Sequence, residues 1–258
     1  MKVQVAQPSL IQEAMPANKL LNNILTGIVF VYQMVAVLIF IACIYLAIGW
    51  IKEPFIGSFY EQTLIFNDTG PTQKGSDWEF NALVTSGDQL VAVNHVPVSS
   101  QNDIRKIITG HFFPGETIPL TVRFANGHTR DLFVTLRLFP SDSVTLYFII
   151  PTVISLIFLV FSLWIFGLRR NEPAGRAFSL FASSIAIATG AFFNISTTHE
   201  FTIIWMFSCA ISGGALIALA LSFPQNPRLV LDRPYLRWVG LVVGLTLAMV
   251  GTPSLLNL

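Results

Sequence analysis

Apolar residues fall in long blocks along this chain, and one stretch of ordinary soluble-protein patterning interrupts them. The first block runs from Ile24 to Ile51, broken only by weakly polar residues such as Thr26 and Gln33. A helix needs about 20 apolar residues to cross a hydrocarbon core, so this block predicts a spanning helix. Trp50 and Lys52 close it, as an interfacial belt requires. Four further blocks, roughly 143–168, 175–197, 201–222 and 235–257, are each near the same length. Lipid offers the backbone no hydrogen bonds, so each predicts a helix. Pro151 falls in the first turns of its block and Pro253 near the end of the last, where proline is tolerated.

Residues 53–141 differ. Charges, Gly, Asn, Asp and Pro return, with turn signals at Asn67-Asp68-Thr69-Gly70-Pro71 and Asn126-Gly127. The pattern therefore divides the chain into an N-terminal segment (1–22), a first transmembrane helix (23–52), one small α+β domain (53–141) and a transmembrane bundle (142–258). The expected fold class is an α-helical integral membrane protein of about five spans with a single inserted domain.

Composition agrees. The chain is 53% hydrophobic and 11% charged, where a soluble domain carries about 25% charged residues. A net charge of +1 gives no overall basic field, so nucleic acid is not an expected partner. The block from Ile24 is too long for a signal-peptide core and no small-x-small cleavage site follows it, which predicts a retained anchor. Cys43 and Cys209 lie inside apolar blocks, where a thiol behaves as a small hydrophobe.

The short loops predict orientation. Arg169-Arg170-Asn171-Glu172-Pro173-Ala174-Gly175-Arg176 joins the second and third spans, and Arg228, Arg233 and Arg237 surround the connection between the fourth and fifth. Thr197-Thr198-His199-Glu200, between the third and fourth, carries no Lys or Arg. The positive-inside rule then puts the N-terminus in the cytoplasm and the inserted domain outside, in a multi-pass cell-membrane protein.

Within the domain, Gly87-Asp88 marks a tight turn, Leu90, Val91 and Val93 fit a half-buried strand, and Asn94-His95 marks the next turn. Ser99 or Ser100 is placed to cap a helix with Asp103 in its first turn and Ile104, Ile107 and Ile108 along its buried stripe. Two strand-like runs, 115–124 and 129–138, join across Ala125-Asn126-Gly127-His128 as a hairpin.

This order, from Gly87-Asp88 through the apolar strand, Asn94, the helix and the hairpin, resembles a bacterial PDZ domain over roughly residues 55–139. It departs at His95, where the family has Gly, and at Asp77–Leu83, where a small-residue helix is usual. PDZ domains take a peptide's C-terminus as an added strand, with its carboxylate on the amides of an apolar-Gly-x-apolar loop. The resemblance implies Ile56-Gly57-Ser58-Phe59 for that loop; a plain membrane-to-domain linker is the other reading, and the one favoured here. The plan of one span, an external PDZ-like domain and then several spans resembles the sensing region of bacterial sensor histidine kinases of the competence-pheromone receptor type. Phe139-Pro140 and the run Ala218–Pro224 match the exits seen in such regions. The resemblance implies a receptor for a peptide or envelope cue, with a two-component kinase as output. No phosphoacceptor helix or ATP-binding segment is visible before Leu258, so a kinase is expected only beyond these residues.

Other function classes find less in the residues. His199-Glu200 begins a zinc-protease motif, but position 203 is Ile. No rhomboid-type nucleophile motif occurs, and Ser212-Gly213-Gly214 reads as a close helix contact. Gly240 and Gly244 form a small-xxx-small pair, serving packing within the bundle or a homodimer. The span interiors hold essentially no ionisable group of the kind that marks a transport path. Gln33 reads as interhelical glue, and Asn194 lies near a helix end. The expectation is a non-enzymatic receptor region with no cofactor or metal; its partners are lipid and a peptide or protein C-terminus. A PDZ-type scaffold is the alternative, and an intramembrane protease relative the remote one.

Overall fold

The computed structural model describes residues 15–67, 69–71, 77–223, 232, 233 and 235–256. Asp68 of the turn signal at 67–71, Arg228 and Pro224 lie outside them. The first block forms one helix, α1 (Met15–Trp50). A four-stranded antiparallel sheet follows, made of β1 (Gln89–Val93), β2 (Val96–Pro97), β3 (Thr117–Arg123) and β4 (Thr129–Thr135) in the order β2-β1-β3-β4. One helix, α2 (Gln101–Ile108), crosses between β2 and β3. The bundle comprises α3 (Ser141–Arg169), α4 (Pro173–Gly190), the short α5 (Phe192–Ser196), α6 (Thr202–Ala220) and α7 (Leu236–Leu256).

The sheet domain obeys its local chemistry. Asn94 and His95 both take positive φ (48° and 63°) between paired Val93 and Val96, the two-residue turn that matches strand twist. Most proteins place Gly at the second position, so His95 carries some backbone strain. Ser100 is the helix cap: Asp103 N–H donates to its hydroxyl, and the Asp103 carboxylate accepts from the Ser100 amide at 3.1 Å. Hydrogen bonds from Ser100 and Ser99 hold the Asp103 carboxyl below its ordinary pKa. Ile104 and Ile108 point into the core. The β3–β4 loop closes with Gly127 at φ 86°, and Phe124 N–H donates to His128 O at 2.8 Å. Alternation along β3 turns Ile118, Leu120 and Val122 inward, where they meet Leu64, Phe66, Phe80, Leu90 and Val93.

Among the described residues, four helical stretches are long and apolar enough to cross a membrane: Lys19–Trp50, Ser141–Arg169, Thr202–Ala220 and Leu236–Pro253. Leu38, Trp164 and Leu247 are among the large apolar side chains on their outer faces, a surface that suits hydrocarbon better than water. The expected span 175–197 differs. Its helix ends at Gly190 and the chain restarts as α5 at Phe192. α4 packs against α1, α3 and α6, so protein rather than lipid touches most of it. Its buried positions are small apart from Ile187: Gly175, Ala177, Ser179, Ala182, Ser183, Ser184, Ala186 and Gly190. That is why its sequence is less apolar than its neighbours'.

Polar side chains bind the bundle internally. Gln33 Nε2 donates to Ser162 Oγ at 2.8 Å; Ser162 in turn meets Ser183 Oγ at 2.7 Å and Ser179 O at 2.8 Å. Gln33 is thus interhelical glue between α1, α3 and α4. In α3 a π turn occupies Thr145–Ile149, immediately before Pro151. The helix starts at Ser141, so Pro151 sits deeper in it than the sequence suggested. The wide turn accommodates a residue that has no N–H and clashes with the preceding turn.

Candidate functional site

The place where the sheet domain meets the bundle holds the chain's most concentrated non-local chemistry. The two connections of the domain run side by side there: Phe55 N–H donates to Arg137 O at 2.7 Å, and Arg137 N–H to Phe55 O at 3.1 Å. Both ends of the domain are thereby fixed over the ends of α1 and α3.

An aromatic cluster fills the junction. Phe55, Phe59, Trp78, Phe139 and Phe193 are buried in it, and Trp50, Tyr147 and Phe148 pack around them. Edge-on contacts run through it, with Phe59 and Trp78 centroids 4.8 Å apart, Phe55 and Trp78 at 4.9 Å, Trp50 and Phe193 at 5.4 Å. Such pairs each add about 0.5–1.5 kcal/mol beyond area burial. Trp78 Nε1 donates to Ser143 Oγ at 2.9 Å, so the indole is satisfied as well as packed.

Beside the cluster lies a groove. Its first wall is the segment Glu53–Tyr60 and its second is α2, through Gln101, Ile104, Arg105 and Ile108. The loop Ile56-Gly57-Ser58-Phe59 belongs to the first wall. Gly57 has φ 85°, and a Cβ there would meet Phe80 Cβ at 3.2 Å, so glycine is required for both reasons. Asn81 holds the loop: its amide donates to Gly57 O at 2.9 Å and its Oδ1 accepts from Ser58 Oγ at 2.7 Å. Ile56 enters the sheet core and Phe59 the aromatic cluster. Among the described residues, none of the four backbone N–H groups from Ile56 to Phe59 donates a hydrogen bond. Glu53 and Arg105 pair across one end at 2.5 Å.

The bundle supplies a roof. Ser196 and Thr198 line the groove, and Gln101 Nε2 donates to Thr197 O. His199 takes φ 54° and lays its ring against Tyr60, centroids 5.9 Å apart. The turn is held by Asn194 O, which accepts from His199 N–H at 2.7 Å and Thr197 N–H at 3.3 Å. What remains open is about 40 Å³, room for a few waters and none for a peptide strand.

The contact between the roof and α2 is incompletely satisfied. Gln101 Oε1, Asn194 Oδ1 and His199 Nε2 are buried without a hydrogen-bond partner among the described residues. Each such atom costs about 1–3 kcal/mol. Burial lowers the His199 pKa, opposed by the charge of Glu61 and by the backbone of Ile195 and Tyr60. Burial raises that of Tyr60, and Glu53 adds to the shift.

The other residues singled out in the sequence lie elsewhere. Gly87 has φ 99° and leads into Asp88, which is buried. The Asp88 carboxylate accepts from Thr85 N–H at 2.8 Å, Thr85 Oγ at 3.1 Å and Ala125 N–H at 2.9 Å, tying β1 to the hairpin turn. Asn94 N–H donates to Pro119 O at 2.8 Å. Both features build the sheet and are remote from the groove. Gly214, Gly240 and Gly244 make the α6–α7 contact: a Cβ on Gly214 would fall 2.6 Å from Leu241 Cα, one on Gly240 3.0 Å from Ile217, and one on Gly244 2.7 Å from Ala210 O. Gly213 faces open space instead. His199 serves the roof rather than a zinc motif, and Glu200 is exposed. Among the described residues, no three His, Cys, Asp or Glu side chains gather to hold a metal.

Sequence reasoning missed Gln101, Phe193 and the roofing role of His199. Their contacts join residues about 45 to 143 positions apart, and only the aromatic residues at the block edges hint at such a junction. No protein-family model, no curated protein and no solved structure matches the chain.

Proposed function

We propose that this chain is the membrane-embedded sensing region of a bacterial signalling protein. In this reading the inserted domain is PDZ-like and stands outside the cell. It takes an envelope cue, most simply a peptide carboxyl end, in the groove between Ile56–Phe59 and α2. One observation carries the reading: two walls of the groove come from the domain, and its roof comes from the turn that joins α5 to α6. A cue that enters must displace the roof, and the roof is continuous with the helices. Binding and helix position are then two views of one equilibrium.

Four amides on successive residues, without acceptors among the described residues, suit a carboxylate. Three orphaned polar atoms make the roof a contact whose loss is partly offset by hydration. The membrane crossing is supported by the four apolar helices. The orientation is supported by the charges: Arg169, Arg170, Arg176 and Arg237 gather around the Asn22 end of α1, while the domain stands at the Trp50 end. Those ends are about 42 Å apart at the α-helical rise, close to a bilayer with its headgroups.

The test is binding of free-carboxyl peptides, against amidated controls, to the chain in lipid nanodiscs, followed by hydrogen exchange. Carboxylate-dependent binding should raise exchange over Thr197–Thr202 and the first turns of α6. Binding that leaves those amides unchanged would favour the scaffold reading. If no peptide from a free-carboxyl library binds, the groove is not the sensor.

A further inference from the structure

Helix α2 lies along the end of the bundle. Gln101, Arg105 and the C-cap residue Thr109 recur at intervals of four and so share one side of it. Gln101 Nε2 donates to Thr197 O in the turn between α5 and α6. Arg105 pairs with Glu53 at 2.5 Å, and Thr109 Oγ donates to Glu53 Oε2 at 3.5 Å. Glu53 stands three residues past the end of α1 at Trp50. The helix therefore runs from the α5–α6 turn to the end of α1.

The loop that follows, Gly110–Gly115, is held at the same level by both its ends. It begins beside Thr109 at Glu53, and Gly110 takes φ 83° as the chain leaves the helix. It ends where Gly115 N–H donates to Leu136 O at 2.7 Å. The next residue, Arg137, is the one whose backbone pairs with Phe55 where the two linkers meet. Phe112 turns back onto the sheet core. Phe113 does not: it is 66% exposed, with exposed Pro114 beside it. Leu138, on the linker itself, is exposed as well. The loop carries no acidic residue. Just below the end of α1, Tyr45 and Ile48 are exposed on the flank of the spanning helix. Apolar surface is thus placed outside the domain's core at the level where the helices emerge.

From this we infer that the loop Gly110–Gly115 rests on the lipid bilayer, with Phe113 inserted at the boundary between headgroups and acyl chains. The inference rests on the membrane-embedded reading of the helices and needs no ligand in the groove. Lipid is the occupant because the apolar flank of α1 continues directly beneath the loop, and that boundary accepts aromatic side chains. Insertion would hold α2, the second wall of the groove, against the bilayer as well as against the bundle.

The test is photocrosslinking on the full chain in nanodiscs of phosphatidylglycerol and phosphatidylcholine. The photoreactive analogue p-benzoylphenylalanine replaces Phe113, Phe133 or Tyr45 in separate chains, and lipid adducts are read by mass spectrometry. Tyr45, 78% exposed on the span of α1, reports on hydrocarbon. Phe133 is 70% exposed, like Phe113, but stands four strand residues from Arg137, about 13 Å. Burying a Phe side chain favours insertion by about tenfold or more, so adducts at 113 should exceed those at 133 by about tenfold. A nitroxide on Phe113→Cys, in a chain with Cys209→Ala, gives a second readout. Oxygen should relax it more than a water-soluble nickel chelate does. Adducts at 45 without adducts at 113 would overturn the inference and leave the membrane reading standing. Equal adducts at 113 and 133, or a nitroxide relaxed more by the chelate, would overturn it too. So would adducts from 113 to a second chain in place of lipid. The absence of adducts at 45 would sink the membrane reading, and the inference with it.

Discussion

Phe193→Ala offers a direct test of the junction. Phe193 is 1% exposed on the short helix α5, with ring centroids 5.4 Å from Trp50, 5.6 Å from Phe139 and 5.6 Å from Phe148. Truncating a buried Phe costs about 3–5 kcal/mol in transfer and cavity terms. The loss should fall on docking rather than on the sheet, because Phe193 touches none of the sheet core. At about 3 kcal/mol the undocked population rises roughly 150-fold. Hydrogen exchange on the full chain in nanodiscs reads this directly. The Phe55 and Arg137 amides, which donate to each other's carbonyls where the two linkers meet, should exchange faster by about two orders of magnitude, while those of β1 and β3 keep their protection. Unchanged exchange at the linkers would mean that the cluster does not hold the domain. An equal rise in β1 and β3 would mean that sheet and junction open as one unit, which would remove the basis for a separately movable roof.

Three further outcomes follow from the geometry. Asp88→Ala removes an acceptor of three hydrogen bonds; it should destabilise the β1–hairpin contact by about 2–4 kcal/mol, visible as faster exchange at Ala125 and Leu90, with Asp88→Asn milder. His199 has a lowered pKa, so the docked state favours the neutral ring. Docking is therefore complete above the ordinary histidine value near pH ~6.5 and weakens as pH falls below it; the thermal midpoint should drop between pH 7.5 and 5.5, less so in His199→Gln. Gly214→Val places side-chain carbon against the Leu241 and Gly240 backbones and should separate α6 from α7 at a cost of about 1–3 kcal/mol, whereas Gly213→Val, facing open space, should be nearly silent in the same thermal assay.

How much of this was legible in the sequence depends on the range of the interaction. The Ser100 cap, the Asn94-His95 turn and the Gly127 hairpin are set by neighbours a few residues away, and local residue chemistry identifies them. The apolar blocks identify the helices because hydrocarbon imposes one requirement on every residue facing it. α4 was read less well for the converse reason. Its Ser, Ala and Gly face other helices, so its composition reports on partners that sequence distance hides. Ile56–Phe59 shows the same limit: the pattern suggested a loop, while its burial beneath Asn81 and its place beside α2 depend on a folded sheet. Arg176 and Arg237 looked like ordinary inner-loop charges, and only the bundle brings them to one pocket.

The π turn at Thr145–Ile149 has a mechanical consequence. It holds one residue more than an α-helical turn, directly below the domain's exit at Phe139-Pro140. Each residue of an α-helix advances the winding by about 100°. If the surplus residue were passed along the helix, the part of α3 between its old and new positions would swing through that angle while the ends stayed in register. A helix with a surplus of this kind behaves like a screw with one spare thread, and Pro151, which cannot complete a regular turn, keeps that thread at the domain's end.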